Sequence, residues 1–157
     1  RLAGVELEGL LRSGVLGDLG ELSFIQGNAT IQDSETVAGS RADAPTNQVR
    51  AAAGASDFLV NLMLGFDSND GAHTASLIYN VFGERLYKAG RLGAPDEFEQ
   101  PFHSLDFTYS WFPTERFSVK VKAQNLLDDT TNISASGVTV YERSPGSSIS
   151  LKVKYQL

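Results

Sequence analysis

The last ten residues alternate without a break: Ile149, Leu151, Val153, Tyr155 and Leu157 fall on one side, Ser148, Ser150, Lys152, Lys154 and Gln156 on the other. A period of two held over this length is a strand with one apolar and one wet face, because successive side chains of an extended backbone point opposite ways. The preceding segment sets Phe117, Val119, Val121 and Ala123 against Ser118, Lys120, Lys122 and Gln124. Another sets Leu105, Phe107, Tyr109 and Trp111 against Asp106, Thr108 and Ser110. Upstream, Phe58 to Phe66 and Ala75 to Gly83 alternate with a less polar second face, and Val5, Leu7, Gly9 and Leu11 alternate with Glu6, Glu8, Leu10 and Arg12. Leu22 to Gln32 reads as a strand of open register: Ile25, Gly27, Ala29 and Ile31 share a side, but Leu22 and Phe24 fall on the other.

The links between these seven strands run short, long, short, long, short, long. The short ones are Gly14 to Gly20, Ser68 to Gly71 and Pro113 to Arg116, and the long ones Asp33 to Asp57, Tyr87 to Phe102 and Asp128 to Pro145. Tight turns at one rim and long loops at the other are the asymmetry of an antiparallel transmembrane β-barrel. The last strand then descends to the periplasm, and the loops at Ser34 to Arg50, Lys88 to Gln100 and Asp129 to Glu142 lie outside the cell. Strands of about nine to eleven residues suit a bilayer, whereas those of a soluble sandwich are nearer five or six. Phe66, Trp111, Phe112 and Phe117 lie beside the short turns, where they predict a periplasmic aromatic girdle. The alternative is a self-contained soluble β-sandwich binding domain with these rings in its core.

Bacterial single-chain barrels have even strand numbers, and an open sheet facing lipid would leave backbone groups unpaired at its edges. Seven strands, entered at Arg1 directly on an alternating pattern without a leader, therefore read as a C-terminal piece whose remaining strands lie elsewhere in a longer chain.

Composition narrows the function. Fifteen Gly against five Pro suit a turn-rich β-protein, and zero Cys excludes disulfides and thiolate metal sites. A net charge of -6 argues against nucleic acid as a partner. The best apolar run, Phe58 to Leu64, is interrupted by Asn61, so any crossing of a membrane is made by strands. His73 and His103 belong to no metal-ligand spacing and read as surface residues; no nucleophile motif or phosphate-cradling loop is present. The expectation is no enzyme, no cofactor and no metal. Asp128 and Asp129 lack further ligands, and Asn125 and Asp128 are expected to shape the chain's exit from its strand through side-chain bonds to nearby backbone.

Several segments, in order and across nearly the whole chain, resemble the closing strands of TonB-dependent receptors. They are Gly4-Val5-Glu6-Leu7-Glu8-Gly9, Tyr79-Asn80-Val81-Phe82-Gly83-Glu84-Arg85, Gly90-Arg91-Leu92-Gly93-Ala94-Pro95-Asp96, Ser104-Leu105-Asp106 and Asn125-Leu126-Leu127-Asp128, followed by Tyr141 and the Pro145-Gly146 turn. The resemblance implies that residues 1–157 form about the last seven strands of a 22-stranded outer-membrane barrel of a Gram-negative bacterium. Such a barrel holds an N-terminal plug and imports an iron chelate, cobalamin or a saccharide, with energy relayed through the TonB complex; plug and earlier strands are absent here. Val153, Tyr155 and Leu157 resemble the C-terminal signal read by the barrel-assembly machinery, although the family more often ends in Phe or Trp. Lys120, Lys122, Lys152 and Lys154 would form a basic strip facing the lumen, either a path for anionic substrates or a wall that pairs with plug carboxylates and water.

Overall fold

A computed structural model describes residues 1–12, 22–39 and 44–156. In chain order the strands are β1 (Leu2–Arg12), β2 (Ser23–Ser34), β3 (Thr36–Val37), β4 (Val49–Arg50), β5 (Phe58–Asp67), β6 (His73–Phe82), β7 (Arg85–Lys88), β8 (Glu97–Glu99), β9 (Phe102–Thr114), β10 (Phe117–Gln124), β11 (Thr131–Ala135), β12 (Val138–Arg143) and β13 (Ser148–Tyr155). The protein is all-β and antiparallel, and among the described residues no helix is long and apolar enough to cross a membrane, which leaves crossing by strands untouched.

The seven alternating segments become one seven-stranded meander, β1-β2-β5-β6-β9-β10-β13, with every neighbour antiparallel. Its sequential order follows from the short turns and from long links that return the chain to the adjacent position. Among the described residues the sheet is open, not a closed barrel, with β1 and β13 at its two edges.

Register follows the alternation. Val5, Ile31 and Phe58 stand side by side, as do Leu11, Ile25, Leu64, Leu77, Phe107, Ala123 and Ile149 on a lower rung. The open register of β2 is thereby resolved with Ile25, Gly27, Ala29 and Ile31 on the apolar face, and Phe24 on the polar one. Phe24 finds cover there because its partner is Gly65, over whose bare backbone the Phe24 ring lies in contact. An aromatic ring covering a cross-strand glycine is a recognised way to protect a residue that has no side chain to contribute.

The long links are not bare loops. Residues 83–101 and 125–147 supply β7, β8, β11 and β12, which form a second, four-stranded sheet in the order β12-β11-β8-β7, and β3 pairs with β4. The expected strand Ala75 to Gly83 ends at Phe82, one residue short, although Gly83 still donates its N–H to the Phe58 carbonyl and lies beneath the Phe58 ring. The core proper is small: Leu86, 1% exposed, is its most buried large side chain. The expected turn Gly14 to Gly20 and the terminal Leu157 lie outside the described residues, as do Ala42 and Asp43 of the first long link.

Candidate functional site

The large sheet has two chemically distinct faces. The apolar side is open at its edge strands, where Leu7 is 72% exposed, Ile149 79% and Leu151 67%, and mostly half-buried on β6, β9 and β10. Soluble sheets bury such a surface, and a contiguous exposed apolar area of this kind marks an interaction surface. The four-stranded sheet is built from the long links and shares no ladder with the large sheet.

Toward the short-turn end of this face stand Phe66, Trp111 and Phe117, three of the four girdle aromatics. Phe112, one step along from Trp111, is on the opposite face and lines the same hollow as Lys120, Lys152 and Lys154. The expected ring of four is thus three rings on the apolar face and one on the lysine side, as period two requires for consecutive residues.

Both histidines lie on the apolar face, each hydrogen-bonded to a tyrosine on the neighbouring strand: His73 Nδ1 to Tyr109 Oη at 2.7 Å, and His103 Nδ1 to Tyr79 Oη at 2.7 Å. The two pairs occupy opposite ends of the β6–β9 ribbon, with Leu77 and Phe107 between them. Diagonal cross-strand partners of this kind depend on register, so the sequence alone showed only two isolated imidazoles.

The polar face carries Glu8, Asn28, Asn61, Asn80 and Ser104 as one rung, with Asn61 Nδ2 donating to Asn28 Oδ1 at 2.6 Å. Lys120, Lys122, Lys152 and Lys154 share this face at the β10–β13 edge, and Lys120 stands directly opposite Lys152. Val153 and Tyr155 alternate with these lysines on β13 and point to the apolar side.

At the long-link end the polar face continues upward. The Arg85 guanidinium lies 4.0 Å over the Phe82 ring, and Phe82 stacks on Phe102. Arg85, Glu99, Ile133 and Tyr141 then form one rung of the small sheet, with Arg85 Nε 2.6 Å from Glu99 Oε2. Tyr87, Glu97, Tyr141 and Arg143 border an open hollow of about 650 Å³ on this side.

Two polar clusters hold the links in place. Asp96, buried, accepts from Gly90 N–H at 2.6 Å and from Asn47 Nδ2 at 2.7 Å, and Thr46 N–H donates to the Gly90 carbonyl. Asn125, buried with φ 50°, bonds through its amide to the Asp129 and Gly146 carbonyls and accepts from Asp129 N–H, while its own N–H reaches Asp106. The expected role of Asn125 in shaping the strand exit is therefore seen in its bonds. Asp128, also at positive φ, contributes its backbone N–H to the Asn125 carbonyl. The side chain with the wider reach is Asp129, whose carboxylate accepts from His103 N–H at 2.7 Å and Thr130 N–H at 2.8 Å. Among the described residues no group of three or more His, Asp or Glu is placed to hold a metal ion.

In the turn Ser68 to Ala72, Asp70 is held below the ordinary carboxylate pKa of 3.8, first by the Ser68 hydroxyl and then by the Ala72 N–H, with the charge of His73 adding to them.

Searches of protein-family models, of curated proteins and of solved structures found no match to this chain.

Proposed function

We propose that this chain is part of the wall of an outer-membrane β-barrel of the TonB-dependent receptor class, taking up a scarce nutrient of the iron-chelate, cobalamin or saccharide kind. The observation that carries the reading is the apolar face, continuous across all seven strands, exposed on β1 and β13 and mostly half-buried on the central strands, set against a polar face of amides, hydroxyls and lysines. Lipid is the environment that makes such a face stable without a second protein layer. Its height agrees: from His73 to Val81 on β6 is eight steps along the strand, about 26 Å at 3.3 Å per residue. At a tilt of about 40° that becomes about 20 Å, close to the outward apolar band of known barrels.

In this reading the short turns lie at the periplasmic rim, the small sheet and its hollow at the outer mouth, and the lysines inside. The chain's role is to form wall and mouth, and chemistry on the substrate has no part in it. A sandwich would bury the apolar face under a second sheet; the exposure of Leu7, Ile149 and Leu151 favours the barrel wall.

Fractionation of cells expressing the full-length protein tests the proposal. The protein is expected in the outer-membrane fraction, migrating as a compact species in mild SDS and shifting on boiling. Recovery from the soluble fraction as a monomer that needs no detergent would refute it and favour the sandwich.

A further inference from the structure

The hollow on the small sheet combines two kinds of surface. Tyr141 and Arg143 of β12, Thr131 of β11, Glu97 and Glu99 of β8 and Tyr87 of β7 all border it, around a volume of about 650 Å³. Because the strand order is β12-β11-β8-β7, the tyrosines stand on the two outer strands and the carboxylates between them. Tyr87 is 56% exposed and Tyr141 51%. Tyrosine offers a flat, amphipathic contact area that is ordered at low entropic cost, and here two such rings flank one space.

Between the rings the surface is polar and held in place. Arg85 Nε lies 2.6 Å from Glu99 Oε2, and Lys88 Nζ 3.0 Å from Glu97 Oε1. An ionised carboxylate accepts on both oxygens, so Glu99 Oε1 and Glu97 Oε2 keep capacity for hydrogen-bond donors. Among the described residues, the hydroxyls of Tyr87, Tyr141 and Thr131 and the guanidinium of Arg143 are engaged by no other group. Charge is close to balance, with Arg85, Lys88 and Arg143 set against the two acids. A ligand of strong negative charge would meet Glu97 and Glu99 with the nearest cations already committed to them, and like charges brought together at a binding surface are costly.

We propose that this hollow binds a neutral saccharide, its ring faces laid against Tyr87 and Tyr141 and its hydroxyls donating to Glu97 and Glu99. A sugar ring has C–H faces that suit aromatic contact and an edge of neighbouring hydroxyls that suits fixed carboxylate oxygens. Arg143 and the Thr131 hydroxyl supply donors to the sugar oxygens. The proposal rests on the barrel-wall reading for its role in uptake, and of the three ligand kinds named there it selects one.

Full-length protein purified in detergent tests this against an array of neutral and anionic oligosaccharides, with a ferric tris-catecholate and cobalamin as separate probes. Neutral oligosaccharides are expected to be retained, and saturating the aromatic ring protons is expected to transfer magnetisation to the sugar C–H protons. Tyr87→Ala/Tyr141→Ala is expected to weaken binding about tenfold or more, since both ring contacts are lost. Tyr87→Phe/Tyr141→Phe keeps both ring faces and is expected to keep most of the affinity. Both variants are expected in the outer membrane with the parent's shift on boiling, which separates a lost ligand contact from a lost fold. Preferential retention of anionic oligosaccharides, the ferric chelate or cobalamin, retention of no probe, or saccharide binding indifferent to the double alanine variant would overturn the inference. Outer-membrane protein that fails in one of these ways defeats this inference alone. A soluble protein that still binds saccharide through the two tyrosines defeats the barrel-wall reading and leaves the site standing.

Discussion

Asp70 holds its turn through a carboxylate that is more useful charged than neutral. Its Oδ1 accepts from Ser68 Oγ at 2.6 Å and from Ala72 N–H at 2.9 Å, and Gly71 at φ 67° completes the reversal. Both bonds favour the ionised form, so the folded-state pKa lies below 3.8. By linkage, this contribution is fully present above the unfolded value and is lost as pH falls through the depressed folded value. The Ala72 amide proton should follow an NMR titration with its midpoint below 3.8, and a midpoint at or above that value would contradict the geometry. Single residues were readable from sequence where the reason for them is local. The lysine and valine positions of β13 follow from alternation, and Asn125 suited a turn by its own chemistry. The His73–Tyr109 and His103–Tyr79 bonds were not readable, because their partners are 36 and 24 residues away and meet only once β6 and β9 are in register.

Elements were legible in proportion to their length. The seven strands of the large sheet have eight to thirteen residues, long enough for period two to declare itself, as in β9 and β13. By contrast β7 has four residues and β8 three, too few for any pattern. These short strands exist because distant pieces pair, Arg85 with Glu99 and Ile133 with Glu99, and because Leu86 has a closed environment. Leu86 is 1% exposed and pairs with Phe98. Truncating a fully buried leucine costs about 2–5 kcal/mol, and here the cost falls on a small unit joined to the large sheet by its links. Leu86→Ala is expected to raise the rate of tryptic cutting after Lys88 and Arg91 about tenfold or more in the membrane-embedded full-length protein, with the large sheet unaffected. Unchanged cutting would mean that Leu86 does not hold the small sheet together.

For the whole molecule, a barrel wall and a soluble domain assign different surroundings to neighbouring residues. Leu77, Phe107 and Ile149 lie on one apolar rung, and Ser76, Thr108 and Ser150 on the adjacent polar one, separated by a single step along each strand. In a barrel wall that step is the difference between hydrocarbon and the water-lined interior. In a sandwich the apolar rung would be buried in protein, out of reach of lipid. Cysteine can be introduced at these six positions one at a time in the full-length protein, since the chain itself contributes no thiol, and labelled with an environment-sensitive fluorophore in lipid vesicles. Leu77→Cys, Phe107→Cys and Ile149→Cys should give blue-shifted emission quenched by a nitroxide on the lipid chain. Ser76→Cys, Thr108→Cys and Ser150→Cys should answer instead to a water-soluble quencher. Reversal between adjacent residues on three separate strands is hard to produce except by a sheet with lipid on one side, because an unfolded or loosely adsorbed chain would give all six labels the same surroundings. A uniform response would remove the bilayer from the account of this fold, and with it the reason for an uncovered apolar face.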